Sequence, residues 1–352
     1  MEIYIFRKMK SVLEVKLSLI RVHFIIWVHK YKKLNSFYRF IFRFIYKKNK
    51  NSHVALKNVH FSDLNALQLC QNYYPSEYYR DNLYYGISSV LKNYSGYDGA
   101  INAYIEHGVF FGSFLGPDER HIFSKKILCM GNRRERQLKN LVGKEPIAIG
   151  PYIHYADYFS SKAETLSHKQ KLGRTLLLFP SHSTKEILVD YNVDIFLEKC
   201  ASKFSEYDSI MVCLYWSDLK RFSHLYEKKG LKVVSAGNLN DPNFLPRLKT
   251  IIGISDYVVT DTVGTHVGYC FHLNKEVWIL PGEIILRELR EPYKSFQAID
   301  YHEKVLAELS EIKSVFETPQ AHFSKDQKSL VEEFWGIDKI KNPKELKRIL
   351  GH

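Results

Sequence analysis

An α/β protein of two doubly wound domains, behind a basic and aromatic helical segment, is the fold class that three features of this sequence predict. Short apolar runs alternate with helix-length segments over most of the chain. A polar stretch divides that alternation into two series. The positive charge collects at one end.

The second series is the clearer one. Its expected strands are Thr175–Phe179, Ser209–Tyr215, Lys232–Ser235, Tyr257–Thr260 and Val277–Leu280. Between them, helical patterns cover Val193–Phe204, Arg221–Lys229, Phe244–Ile254 and Thr265–Leu273, and closing helices lie near Tyr301–Val315 and Lys325–Phe334. Short apolar strands with helical crossovers define a parallel, doubly wound sheet. The first series begins with helical residues 64–94, capped by Asp63 or Ser62. Strands follow at Ala100–Tyr104, Lys126–Met130 and Pro146–Ile153, with a charged helix at Arg133–Val142. Residues 160–173 are polar and without periodicity and read as the linker. The expected organisation is a segment at 1–55, a first domain at 56–165 and a second at 166–352.

The chain of 352 residues, 45% hydrophobic and 25% charged, is large enough for two cores. Its net charge of +13 is local: residues 1–50 hold 13 Lys/Arg against two Asp/Glu, and the other 302 hold 38 against 36. A nucleic-acid reader usually spreads basic residues over a folded face, so no nucleic-acid partner is expected. The five cysteines, Cys70, Cys129, Cys200, Cys213 and Cys270, form no CxxC pair and no zinc spacing. Cys129, Cys213 and Cys270 lie in apolar runs and read as buried free thiols, which fits a reducing compartment. No signal peptide is evident.

The basic segment mixes its charges with apolar residues. A run from Leu17 to Val28 is interrupted by Arg21 and ended by Lys30, Lys32 and Lys33. Phe37 to Tyr46 then interleave with Arg39, Arg43, Lys47 and Lys48. A bilayer span needs about 20 clean apolar residues, which this run lacks. Aromatics beside bases suit a helix lying in the headgroups of an anionic membrane surface, through residues 13–48. The other reading is a helical pair packed on the domain with solvated charges.

In an open parallel sheet, ligands bind outside the carboxyl ends of the strands. Four strand ends in the second series carry suitable groups. Ser181, His182, Ser183 and Thr184 follow the first strand, where hydroxyls and backbone N–H groups can hold phosphate oxygens or simply form a polar turn. Tyr215 can stack a base or a sugar, or merely pack. Gly237 and Asn238 form a third loop. Thr262, Gly264, Thr265 and His266 lead directly into a helix, whose N–H groups and dipole make an anion site. There is no P-loop, no GxGxxG after a strand and no paired Asp-x-Asp. Neither metal dependence nor a cofactor is expected. In the first series Glu106, His107 and Gly108 follow a strand. His107 can act as general base, with Glu106 orienting it and Gly108 admitting substrate to the backbone. The bland reading is a polar loop histidine. His154 is a second candidate.

Residues 255–280, SDYVVTDTVGTHVGYCFHLNKEVWIL, resemble the donor-site stretch of GT-B glycosyltransferases, whose fold is a pair of Rossmann-like domains. They look most like the capsule, lipopolysaccharide and teichoic-acid branch, which includes CDP-glycerol glycerophosphotransferases. Asn274-Lys275-Glu276-Val277 stands where that branch reads GKPV, with Glu in place of Pro. The branch's acceptor-side His-Gly pair is matched by His107-Gly108, which implies His107 as base. Glu283 is placed to reach the donor.

The function expected is an inverting, metal-independent glycosyltransferase at the cytoplasmic face of the inner membrane. It would move a sugar, or a polyol phosphate, from a nucleotide-activated donor to a lipid-linked glycan. Alternatives are a sugar-nucleotide epimerase of the same architecture and a non-enzymatic envelope assembly protein.

Overall fold

The structure is a computed structural model that describes residues 24, 27–28, 31–46, 59–69, 76–113, 122–140, 143–184, 187–281, 285–289, 299–320 and 322–351. Most of the stretch before Lys32, with Lys47, Lys48, Cys70 and Glu283, lies outside the described residues, so those readings are not addressed by it. The α/β class is the one observed.

Helices α1 (Lys32–Tyr46) and α2 (Leu64–Leu67), whose Leu67 packs in the core of the second unit, precede the first unit, which contains α3 (Ile87–Ser95), β1 (Tyr104–Ile105), β2 (Lys126–Cys129), α4 (Asn132–Lys139) and β3 (Glu145–Ala148). These strands form a parallel sheet in the order β1-β2-β3. Asp63 caps α2 by accepting from the Ala66 N–H at 3.1 Å.

The second unit opens with α5 (Lys162–Leu172), β4 (Thr175–Phe179), β5 (Ile187–Tyr191), α6 (Val193–Phe204), β6 (Ser209–Cys213) and α7 (Leu219–Glu227). It continues through β7 (Lys232–Val234), α8 (Phe244–Ile254), β8 (Tyr257–Thr260), α9 (Thr265–His272), β9 (Glu276–Ile279) and β10 (Ile285–Leu289). Five of these strands form a parallel sheet in the order β7-β6-β4-β8-β9. The chain winds outward from β4 to one edge, then returns to β8 beside β4 and winds to the other edge. The switch point therefore lies between β4 and β8, both fully buried.

Several elements depart from the sequence reading. The helical stretch expected over 64–94 is instead α2, a 3-10 turn at Asp81–Gly86 that kinks at Tyr84 and Tyr85, and α3. Residues 160–173, read as the linker, contain helix α5, and the boundary expected between 165 and 166 falls inside it. This helix has no buried side chain; a capping box from Ser161 and Glu164 starts it. Strands β5 and β10 pair antiparallel outside the main sheet. The chain closes with α10 (Ile299–Phe316), α11 (Lys325–Trp335) and α12 (Pro343–Gly351). The last two return to the first unit: α11 packs on α4, and α12 on α3. The Asn102 N–H donates to the Leu350 carbonyl at 3.1 Å.

One apolar core joins the units. It holds Leu91, Ile105 and Leu128 of the first together with Leu177, Leu248, Ile251 and Val258 of the second. Trp335 is fully buried in it, and Gly268 on α9 makes room for the indole: a Cβ there would fall inside the ring. Gly268→Ala should therefore overpack this contact and cost about 1–3 kcal/mol or more. Chemical denaturation checks this; an unchanged midpoint would mean that α9 and α11 separate freely.

Candidate active site

The carboxyl ends of β4 and β8 open into a cleft of about 550 Å³ between the two units. Its second-unit wall holds Ser181, His182, Thr184, Tyr215, Thr262, Gly264, Thr265 and His266. From the first unit come Tyr85, His107 and Gly108, with Val109, Phe110 and Phe111. Residues proposed from four separate strand ends are thus brought together at the switch point. No Lys or Arg lines the cleft among the described residues.

The turn after β4 is tied to the turn after β8. Asp261, buried, accepts from the Ser181 N–H at 2.8 Å and from the Ser181 hydroxyl at 2.9 Å. Beside it the His182 ring lies 4.7 Å from Tyr215. Ser183 is buried and not part of the cleft wall. Its N–H donates to Asp218 at 2.5 Å, and its hydroxyl accepts the Val189 N–H at 3.0 Å. Gly237 and Asn238 also stand back from the cleft. The Asn238 amide donates to the Leu69 carbonyl at 3.0 Å, and Gly237, at φ +101°, lies against Asp241. Only Ala236 of that loop reaches the cavity. Arg247, fully buried, holds the loop from behind through Asp241 at 2.5 Å and the Ala236 carbonyl at 3.2 Å.

Helix α9 points its N-terminus at the cleft; the Val267 N–H turns back to the Gly264 carbonyl at 3.2 Å, and those of Thr265 and His266 precede the first intrahelical bond. His266 in its first turn bonds the Thr260 hydroxyl at 3.0 Å, and burial lowers its pKa to about 3, so the ring is neutral. Thr265 has a role that sequence reasoning missed. Its Oγ1 accepts the N–H of Val109, from the first unit, at 3.0 Å. The side chain approaches so closely that a Cβ on Gly108 would lie 2.7 Å from Oγ1. Gly108 thus makes room for Thr265 at the edge of the cleft.

On the first-unit side, Glu106 and His107 diverge. Glu106 is fully buried and accepts both Nε and Nη2 of Arg134, at 2.8 and 2.6 Å. Burial nevertheless raises its pKa. The partner at His107 is Asp81, whose Oδ2 lies 3.5 Å from Nδ1. His154 is not part of the cleft wall; it pairs with His272 at 3.2 Å. Tyr85 is the other unforeseen residue. It lines the cleft at φ +57°, a left-handed conformation that is uncommon for a bulky side chain and clusters at functional sites. Its N–H donates to the Leu239 carbonyl at 2.7 Å, and its ring packs on Phe244 at 4.6 Å.

No protein-family model and no curated protein matches the sequence. Among solved structures, the wall teichoic acid polymerase TagF is similar at 13% identity and a TM-score of 0.39, over 70% of this chain and 66% of that one. UDP-GlcNAc 2-epimerase from Neisseria meningitidis, bound to UDP-GlcNAc, is similar at 12% identity and a TM-score of 0.33, over 66% of this chain and 63% of that one. A glycosyltransferase from Rickettsia africae is similar at 14% and 0.31, over 69% and 67%. This chain spans just under two thirds of the polymerase and of the epimerase.

The buried histidines set a pH dependence. His266 titrates near 3 and His272 near 4, both lowered first by burial, against an ordinary 6.5. Between those values the unfolded chain binds more protons, so stability falls as pH drops below 6.5. Each ring contributes a slope of up to about 1.4 kcal/mol per pH unit. His272→Gln should lose less stability between pH 6.5 and 4.5 than the parent in urea titrations. Equal losses would show that charging of His272 is not opposed by the fold.

Proposed function

We propose that the chain is a nucleotide-dependent glycosyltransferase of the GT-B kind. It transfers a sugar, or a polyol phosphate, to a hydroxyl of a lipid-linked glycan with inversion. The observation that carries this reading is the meeting of His107 with the α9 N-terminus across one cleft at the sheet's switch point. A base on one wall faces an anion site on the other, as transfer from a phosphate leaving group requires.

In this reading the donor phosphate rests on the N–H groups of α9 and the hydroxyls of Thr262 and Thr184. Neutral donors and a helix dipole meet the charge developing on the leaving oxygen, without a metal. Tyr215 and Tyr85 offer flat faces to the base or sugar. The acceptor hydroxyl lies at His107, which takes its proton as the oxygen attacks. The aromatic lining excludes water, which would otherwise compete as acceptor.

Mass-spectrometric screening of nucleotide sugars would identify the donor. With that donor, His107→Ala should reduce turnover roughly 100- to 10,000-fold, with donor affinity by calorimetry nearly unchanged. Thr262→Val should do the converse and weaken affinity. A His107→Ala enzyme that keeps more than about a tenth of the parent's turnover would exclude the base role.

Helix α1 supports attachment to the cytoplasmic face of a membrane. It meets the first unit through polar residues: Asn35 donates to the Tyr78 carbonyl at 3.0 Å and Arg39 to the Ser76 carbonyl at 2.7 Å. Phe37 and Phe40 point outward, 61% and 69% exposed, on a helix whose segment carries most of the net charge. No described helix is long and apolar enough to cross a bilayer. Aromatics at the headgroups and bases against anionic lipid, each about 1 kcal/mol, fit that face. Phe37→Glu with Phe40→Glu should abolish sedimentation with anionic liposomes, and added salt should weaken the parent's binding. Undiminished binding of the double variant would place the contact elsewhere.

A further inference from the structure

Asp81 has no counterpart in any sequence motif noted above, yet it stands at the ring of His107. It opens a short 3-10 helix, Asp81–Gly86, that passes behind β1. Its Oδ2 accepts the Tyr104 hydroxyl at 2.6 Å, and Tyr104 is buried within β1. The same oxygen lies 3.5 Å from His107 Nδ1. Nδ1 is sealed from solvent and, at 3.5 Å from Asp81, makes no hydrogen bond to it as it stands, whereas the His107 side chain as a whole is 35% exposed. The rings of Tyr84 and Phe110 stand edge-on to the imidazole, at 5.4 and 5.3 Å, and Tyr85 at 6.3 Å. Other charges nearby are committed: Arg134 to Glu106, and Arg80 over the face of Tyr84 at 5.8 Å.

We propose that Asp81, held by Tyr104, is the positioning residue for His107. It accepts the Nδ1 proton and so keeps Nε2 unprotonated at the cleft. This rests on the reading of His107 as base. In the transfer step the acceptor oxygen bonds to the electrophilic centre of the donor, and the donor's bond to its phosphate breaks with the electron pair going to the phosphate oxygen. The acceptor proton passes to His107 Nε2. Asp81 gains no proton; its negative charge stabilises the imidazolium, in an aromatic pocket where water does so poorly. A neutral histidine in water favours the other tautomer, with the proton on Nε2, which would leave no base at the cleft. Glu106, the sequence neighbour, cannot substitute, because consecutive residues of an extended segment point to opposite sides.

The test is nitrogen-15 NMR of the full chain labelled at histidine, with the His107 signals assigned by their loss in His107→Ala. The neutral ring of the parent should carry its proton on Nδ1. Asp81→Asn should lower the His107 titration midpoint by about one unit or more, as expected when a neighbouring opposite charge is removed. Its kcat should fall with donor KM nearly unchanged, and the acidic limb of its pH profile should move to lower pH. A parent ring protonated on Nε2 would overturn the proposal, whether or not Asp81→Asn folds. So would an unmoved midpoint in Asp81→Asn. The failure of the wider reading looks different: His107→Ala would keep its turnover while the tautomer and the midpoint behaved as stated.

Discussion

Asp261 takes two hydrogen bonds from Ser181 at the point where β4 and β8 part company, and the second-unit wall of the cleft depends on this link. Parallel strands that lead to opposite edges leave a gap above their ends, and the loops that leave them have no ladder to fix their direction. A buried carboxylate whose Oδ1 takes an N–H and an O–H donor fixes them without a ligand. It also settles which groups remain for one. The Ser181 N–H and hydroxyl are already engaged with Asp261, so the cleft offers the turn through Thr262 and the first N–H groups of α9 instead. Ser183 is engaged in the same way by Asp218, and Arg221 joins that group by bonding the Val189 carbonyl at 2.9 Å. The polar residues after β4 therefore divide between structure and surface within four positions.

Electrically the cleft is quiet for a site proposed to take an anion. His266 is neutral, and the Cys213 thiol is pushed up to about 12 by burial, so neither supplies charge at neutral pH. In the proposed reading, the fixed dipoles of α9 meet the charge of the leaving group. Dipoles at the end of a packed helix need no reorganisation when charge develops on a leaving group, which is where such an arrangement is strongest.

The second unit was legible in the sequence because its strands are buried on both faces. Thr175–Phe179 and Tyr257–Thr260 are continuous apolar runs with no competing helical period, and both have the bounds expected. The antiparallel pair β5 and β10 escaped notice because it lies outside the main sheet and far apart in sequence, so no local pattern announces it. Helix α5 has no apolar face, but the Ser161-Lys162-Ala163-Glu164 capping box was there to be read. Among the site residues, the strand-end rule placed Thr262 and His266 at the cleft, and His107 was found from its place after a strand. It could not show that Gly237 and Asn238 turn away from it, since that is decided by contacts with Asp241 and Leu69. Adjacency suggested Glu106 as the partner of His107. Alternation along the extended chain gives it to Arg134, and Asp81 arrives from a separate element whose link to His107 exists only after folding.

The return of α11 and α12 to the first unit ties the units a second time after the stretch before α5, and the segment of Val59, Leu64 and Leu67 packs on the second unit's core as well. A single tether would let the units swing in any direction. Each further tie removes some of that freedom, and the shared apolar core removes more. Tyr85, Thr265 and the His154–His272 pair all bridge the units, so opening the cleft must break some of these contacts together. Any widening of the cleft is thus opposed by contacts spread over separate elements, and loss of one bridging contact leaves the others in place.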